Sequence, residues 1–180
     1  MSLGGVSRVW PAMAAVAWAV LVPWPTAGAD PLQPPPQFPD IDAYPAVNLN
    51  DYAHFGSHPS GSGWLFKTPN GVTCAVSLLD DIGATCWGDA VGPPTQSEVN
   101  ATSMHAGRYS PRDPNWNPDA TVLPVGTKLD NGNGIACAVT APDSVACRTG
   151  PNRGIDTSNP QNSRYGVHGF VLQPGGNWTF

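Results

Sequence analysis

The stretch Asn70-Gly71-Val72-Thr73-Cys74-Ala75-Val76-Ser77 returns 63 residues later as Asn133-Gly134-Ile135-Ala136-Cys137-Ala138-Val139-Thr140, with five of eight positions identical. Each copy leaves an Asn-Gly turn and enters a run of small and branched residues, the composition of a short strand. An acidic turn follows, Asp80-Asp81 in one copy and Pro142-Asp143 in the other, and each closes on a second cysteine, Cys86 or Cys147. That shared downstream cysteine favours duplication over chance. The pattern reads as two related hairpins packed as halves of one sheet system.

The cysteines carry the strongest chemistry. Four in an exported chain are most simply two disulfides, and three connectivities exist. Cys74–Cys86 and Cys137–Cys147 are favoured, because each pair sits on the two arms of one expected hairpin, where facing Cα atoms lie within bridging range. Bonds linking the two repeats are the alternative. No Cys-x-x-Cys pair supports a zinc site.

Further strands follow from the same logic. Gly63 to Gly71 reads as a strand ending in a Pro-Asn-Gly turn. Residues 121–129 regain β character, and Gly166–Leu172 with Asn177–Phe180 form a final hairpin through Pro174-Gly175-Gly176. The stretch 88–121 resists placement. Thr95-Gln96-Ser97-Glu98 has the form of a capping box, which would start a short helix running to about Ala106. Ser110–Asp119 carries three prolines and reads as loop. The expected fold is all-β, a small sandwich or barrel of two disulfide-stapled hairpins over residues 63–180.

Ahead of it lie two other segments. Residues 1–29 have the three parts of a secretory signal: Arg8, an apolar run over 12–22, and Ala27-Gly28-Ala29, with cleavage expected between Ala29 and Asp30. The run is too short to span a bilayer, which takes roughly 20 apolar residues. Residues 30–62 form a Pro-rich arm, read as a flexible spacer. A sharper alternative lays Tyr44–Phe55 along the domain so that it covers a sheet edge. With the leader removed, seven basic residues face thirteen acidic ones, 7 − 13 = −6. Such a balance disfavours nucleic acid and anionic membranes.

Catalytic signatures were sought and none is assigned, nor any metal or cofactor residue. His54 and His58 precede Pro59 outside any helix, so their spacing does not place both on one face; they read as solvent-exposed arm residues. Ser60-Gly61-Ser62-Gly63 reads as flexible linker, not as a nucleophile elbow. Glu98 is the only glutamate. Trp64, Trp87, Phe170 and Trp178 flank strands and are expected in the core. Trp116 and Tyr109, on the proline-rich loop, are the expected exposed contacts, with His168 as a further candidate.

Phe66-Lys67-Thr68-Pro69-Asn70-Gly71-Val72-Thr73-Cys74, then Val122-Leu123-Pro124-Val125-Gly126, Gly134-Ile135-Ala136-Cys137, Val145-Ala146-Cys147 and His168-Gly169-Phe170-Val171-Leu172 resemble a family of small exported actinobacterial proteins without an assigned function. The resemblance covers about residues 64–180. The chain lacks that family's middle pair of cysteines and has Val167 where glycine is usual. The resemblance implies a secreted, cysteine-paired β domain of mycobacterial or related source, and brings no catalytic residues. Two functions follow as expectations. The first is a non-enzymatic binding module, monomeric and secreted or envelope-associated, presenting the 88–121 loop to an extracellular or envelope partner. The alternative is a small hydrolase-like enzyme using His168 or His105 with a nearby aspartate.

Overall fold

The computed structural model describes residues 37–79, 81–92, 94–114 and 118–180. The expected leader, with its expected cleavage between Ala29 and Asp30, and Trp116 lie outside them. Among the described residues twelve strands follow one another: β1 Ala53–His54, β2 Gly63–Lys67, β3 Thr73–Ser77, β4 Ala84–Trp87, β5 Glu98–Thr102, β6 His105–Ser110, β7 Thr121–Val122, β8 Thr127–Asp130, β9 Ile135–Ala141, β10 Ser144–Thr149, β11 His168–Leu172 and β12 Trp178–Thr179. Among the described residues the only helices are short 3-10 turns. β1 to β6 form one antiparallel sheet in chain order, and β7 adds to β2 in parallel. The second sheet runs β12-β11-β10-β9-β8. The protein is a disulfide-stabilised β sandwich.

Both cysteine pairs sit where the hairpins place them. Cys74 faces Cys86 across β3 and β4, and Cys137 faces Cys147 across β9 and β10; both pairs are disulfide-bonded. Strand alternation turns all four inward, and all are fully buried. Cys86 Sγ lies 3.9 Å from Cys147 Sγ, so the two bridges touch across the gap between the sheets. Around them pack Phe66, Val76, Val99, Leu129, Val139, Val145 and Phe170.

The stretch 88–121 is corrected by the structure. The capping-box residues yield only a 3-10 turn at Pro94–Gln96, and the chain then enters the β5–β6 hairpin. The reason is period: in Glu98-Val99-Asn100-Ala101-Thr102 the apolar residues alternate, and Val99 and Ala101 turn into the core. A helix would have split that pair between faces. At the far edge Gly107 on β6 donates its N–H to Phe180 O, 3.4 Å away. A Cβ on Gly107 would come within 2.8 Å of Gly169 O and of Thr179 Cγ2, so glycine permits the close approach of the two sheets.

From residue 37 the arm is packed structure, not a spacer. Phe38 and Ile41 are buried over Ala136, Ala138, Ala146 and Val171 on the outer face of the second sheet, where only small side chains leave room for them. Phe38 makes edge contacts with Trp178 and Phe180, at centroid distances of 6.4 and 5.2 Å. Asp42 takes two hydrogen bonds from Arg148, at 2.7 and 2.9 Å, and lies 3.7 Å from Lys128 Nζ. Further along, Ala46 bridges to Lys128 on β8, and Ala53–His54 pair with β2. One stretch of chain thus covers an edge of each sheet, which answers the aggregation hazard of open strands.

Two predictions follow from the packing. Replacing either cysteine pair by alanine removes a closed loop of about a dozen residues and is expected to cost roughly 3 kcal/mol in urea unfolding. Arg148 also holds the Asp42 carboxyl below the ordinary carboxylate range. Its contribution is present above the unfolded value, about 3.9, and is lost as pH falls through the lower folded value. Asp42→Asn should therefore flatten the acid limb of the stability profile, by at most about 1 kcal/mol, since Asp42 is 57% exposed.

Candidate functional site

Residues of the seven-stranded sheet that do not enter the core point outward, and the smallest of them create a trough. Gly63 and Ser77 face each other, as do Leu65 and Ala75, and Ala75 and Thr85. With glycine, alanine and threonine at its centre, this face sinks into an open cleft of about 200 Å³. His54 and the 60–62 loop wall one end, while Ile82 and Glu98 stand at the other. Gly63 is essential here, because a Cβ would run into the carbonyl oxygen of Val76.

Hydrogen bonds fix both walls. Ser62 Oγ accepts from Gly56 N–H and donates to His58 O, closing the 56–62 loop on itself. Asn100 Nδ2 donates to Ile82 O at 2.9 Å and to Thr85 Oγ1 at 2.8 Å, which ties the β3–β4 turn to β5. Glu98 accepts from Ser110 Oγ at 3.2 Å, and none of the residues lining the trough is a lysine or arginine. His54 and Glu98 do not meet. They sit on β1 and β5, four strand spacings apart, roughly 19 Å at about 4.8 Å per step. The trough therefore holds no acid–base pair.

Tyr109 and His168, singled out in the sequence, lie elsewhere. Tyr109 belongs to β6 and faces Val99, so its ring turns inward against the core instead of standing on an open loop. Its hydroxyl is buried without a hydrogen-bond partner among the described residues, and burial pushes its pKa up. Tyr109 is thus corrected from exposed contact to packing residue: the alternation that carries Val99 inward carries its partner too. His168 starts β11 opposite Thr149, half-buried, with its backbone carbonyl accepting from Thr149 Oγ1. Burial lowers its pKa, and the nearby His105 lowers it further. No carboxylate contributes to that shift. The charged group that His168 feels is thus His105. Among the described residues no group of three or more His, Cys, Asp or Glu converges on a metal position.

His54 and the stretch Ser60–Gly63, read otherwise in the sequence, belong to the trough. His54 is half-buried in its wall, and Ser60–Gly63 is a wall and strand start instead of a free linker. The signal was the outward alternation of small residues on β2, β3 and β4, which gains meaning only once the strands are paired. Trp87 and Phe170 are fully buried, whereas Trp64 and Trp178 are partly buried against the two clusters.

Compared with protein-family models, curated proteins and solved structures, the chain finds no match. The two disulfides are bonds of an oxidising compartment. Among the described residues no helix is long and apolar enough to cross a membrane.

An NMR titration checks the environment of His168. Its imidazole should titrate below about 6.5, the value for a free histidine, and His105→Ala should raise the midpoint. Because the folded state resists protonation here, the stability His168 contributes is complete above the unfolded value and is lost as pH falls through the lower folded one. A midpoint at or above the free value would contradict the half-buried placement.

Proposed function

We propose that this is an exported binding module, secreted or held at the cell envelope, that engages a partner and does no chemistry on it. The observation that carries the reading is the open trough on the outer face of β2–β4: a small, mostly apolar floor with His54 and Glu98 at opposite ends. A catalytic site needs an acid and a base, or a base and a nucleophile, within hydrogen-bond reach. A recognition surface needs instead an apolar centre with a polar rim. Export is supported by the three-part leader and by the disulfides, and the resemblance to small exported actinobacterial proteins points the same way. The two cysteine hairpins are read as descendants of one duplicated unit, on their matching sequences and matching cysteine register.

Filling the trough tests the function. Ala75→Trp places a large ring on its floor, away from both disulfides. Bait protein with both disulfides formed should capture partners from culture filtrate or envelope extracts, and Ala75→Trp should reduce capture at least tenfold while circular dichroism stays unchanged. Capture that is indifferent to this substitution, and equally to Phe55→Ser directly after His54, would remove the trough from the function.

A further inference from the structure

We infer that the open trough receives a short peptide segment of a protein partner, one that carries an aromatic or branched aliphatic anchor beside a basic side chain. This deepens the binding-module reading and rests on it. The starting observation is that the two outer faces of the sandwich are built alike but treated differently. In the second sheet Ala138 faces Ala146, and both are fully buried beneath the arm. The matching pair on the first sheet, by the repeat and by position before the second cysteine, is Ala75 facing Thr85. That pair is only partly buried and floors the trough, with Ala75 packed on one side against the buried Leu65, Trp87 and Ala120.

What fills the matched position in the second sheet defines the occupant. It is a proline-punctuated turn running into a short 3-10 helix, Phe38-Pro39-Asp40-Ile41-Asp42, which lays one aromatic and one branched aliphatic side chain over the alanines. The open trough, at about 200 Å³, falls below the roughly 300–1,000 Å³ of a site for a whole small ligand. It suits a side-chain anchor. Exposed apolar residues adjoin its lining in the chain: Phe55, directly after His54, is 82% exposed, and Leu78, directly after Ser77 and with its N–H donating to Ser62 O, is 42% exposed. A solvent-facing phenylalanine beside a trough is the kind of surface that partners cover.

Charge decides the rest of the partner. Over the second sheet the arm is acidic, and Arg148, directly after Cys147, holds Asp42. The residue directly after Cys86 is Trp87, which offers no cation. Charge in the trough comes from Glu98, which makes no ion pair among the described residues, and no lysine or arginine lines the cleft. The sign is inverted relative to the covered face, so the incoming segment carries a cation where the arm carries Asp42.

Three synthetic hexapeptides test this against the ¹⁵N-labelled protein with both disulfides formed: Gln-Phe-Pro-Lys-Ile-Lys, its acidic counterpart Gln-Phe-Pro-Asp-Ile-Asp, and Gln-Ala-Pro-Lys-Ala-Lys. The first should shift the amides of Gly63, Ala75 and Thr85 and bind at least tenfold tighter than either other peptide. Glu98→Gln should erase most of the preference over the acidic peptide, and Phe55→Ser should weaken the first peptide severalfold without disturbing the fold. Equal binding of basic and acidic peptides, shifts confined to another face, or no binding overturns the inference. Binding to phosphatidylcholine vesicles that needs Phe55 but ignores Glu98 also overturns it, in favour of a lipid surface. If no peptide binds while Ala75→Trp still abolishes capture, the peptide assignment fails and the binding-module reading survives. If capture ignores the trough, that reading fails independently of the peptides.

Discussion

Two disulfides meeting in the middle of the sandwich set the terms for everything else. Cys74–Cys86 and Cys137–Cys147 each lock a pair of facing strands, and the sulfur contact at 3.9 Å fixes how far apart the two sheets stand. This matters for a chain with 20 glycines and 21 prolines. Glycine raises the entropy lost on folding, and proline removes backbone donors from the ladders, so local propensity contributes little. Cross-links that restrict the unfolded chain offset part of that deficit. With the centre fixed, the inner faces need only branched and aromatic side chains to complete a close-packed core.

The arm solves the remaining problem, the edges. Sheets built of short strands leave unpaired N–H and C=O groups, and residues 46–54 satisfy some of them on both β8 and β2. At the opposite side the approach of β6 to β11 and β12, opened by Gly107, joins the sheets again. A segment whose prolines forbid regular structure thus serves as a clasp, since its anchoring rests on buried Phe38 and Ile41 and on the Asp42–Arg148 pair. None of these contacts requires a ladder of its own.

The proposed function rests on a contrast between the outer faces. One carries the arm, while the other is covered over Leu65 and Trp87 by Ala120 and leaves a trough over Gly63, Ala75 and Thr85. Of the titratable side chains, His168 feels burial and His105, while His54 and Glu98 stand strands apart.

Sequence alone determined the all-β class, the cysteine pairing and most strands, because these follow from short-range facts: alternation, turn chemistry and which cysteine lies one hairpin away. It also contained the alternation in Glu98–Thr102, masked by a capping-box pattern whose meaning depends on a helix that tertiary packing does not provide. Only the folded structure decided that Phe38 and Ile41 cover one sheet, that Tyr109 turns inward, and that His54 and Glu98 share a trough. Those outcomes join residues tens of positions apart in the chain, and no local preference specifies which face of which sheet a distant segment will find. Burial decides it, and burial exists only once the sheets are assembled.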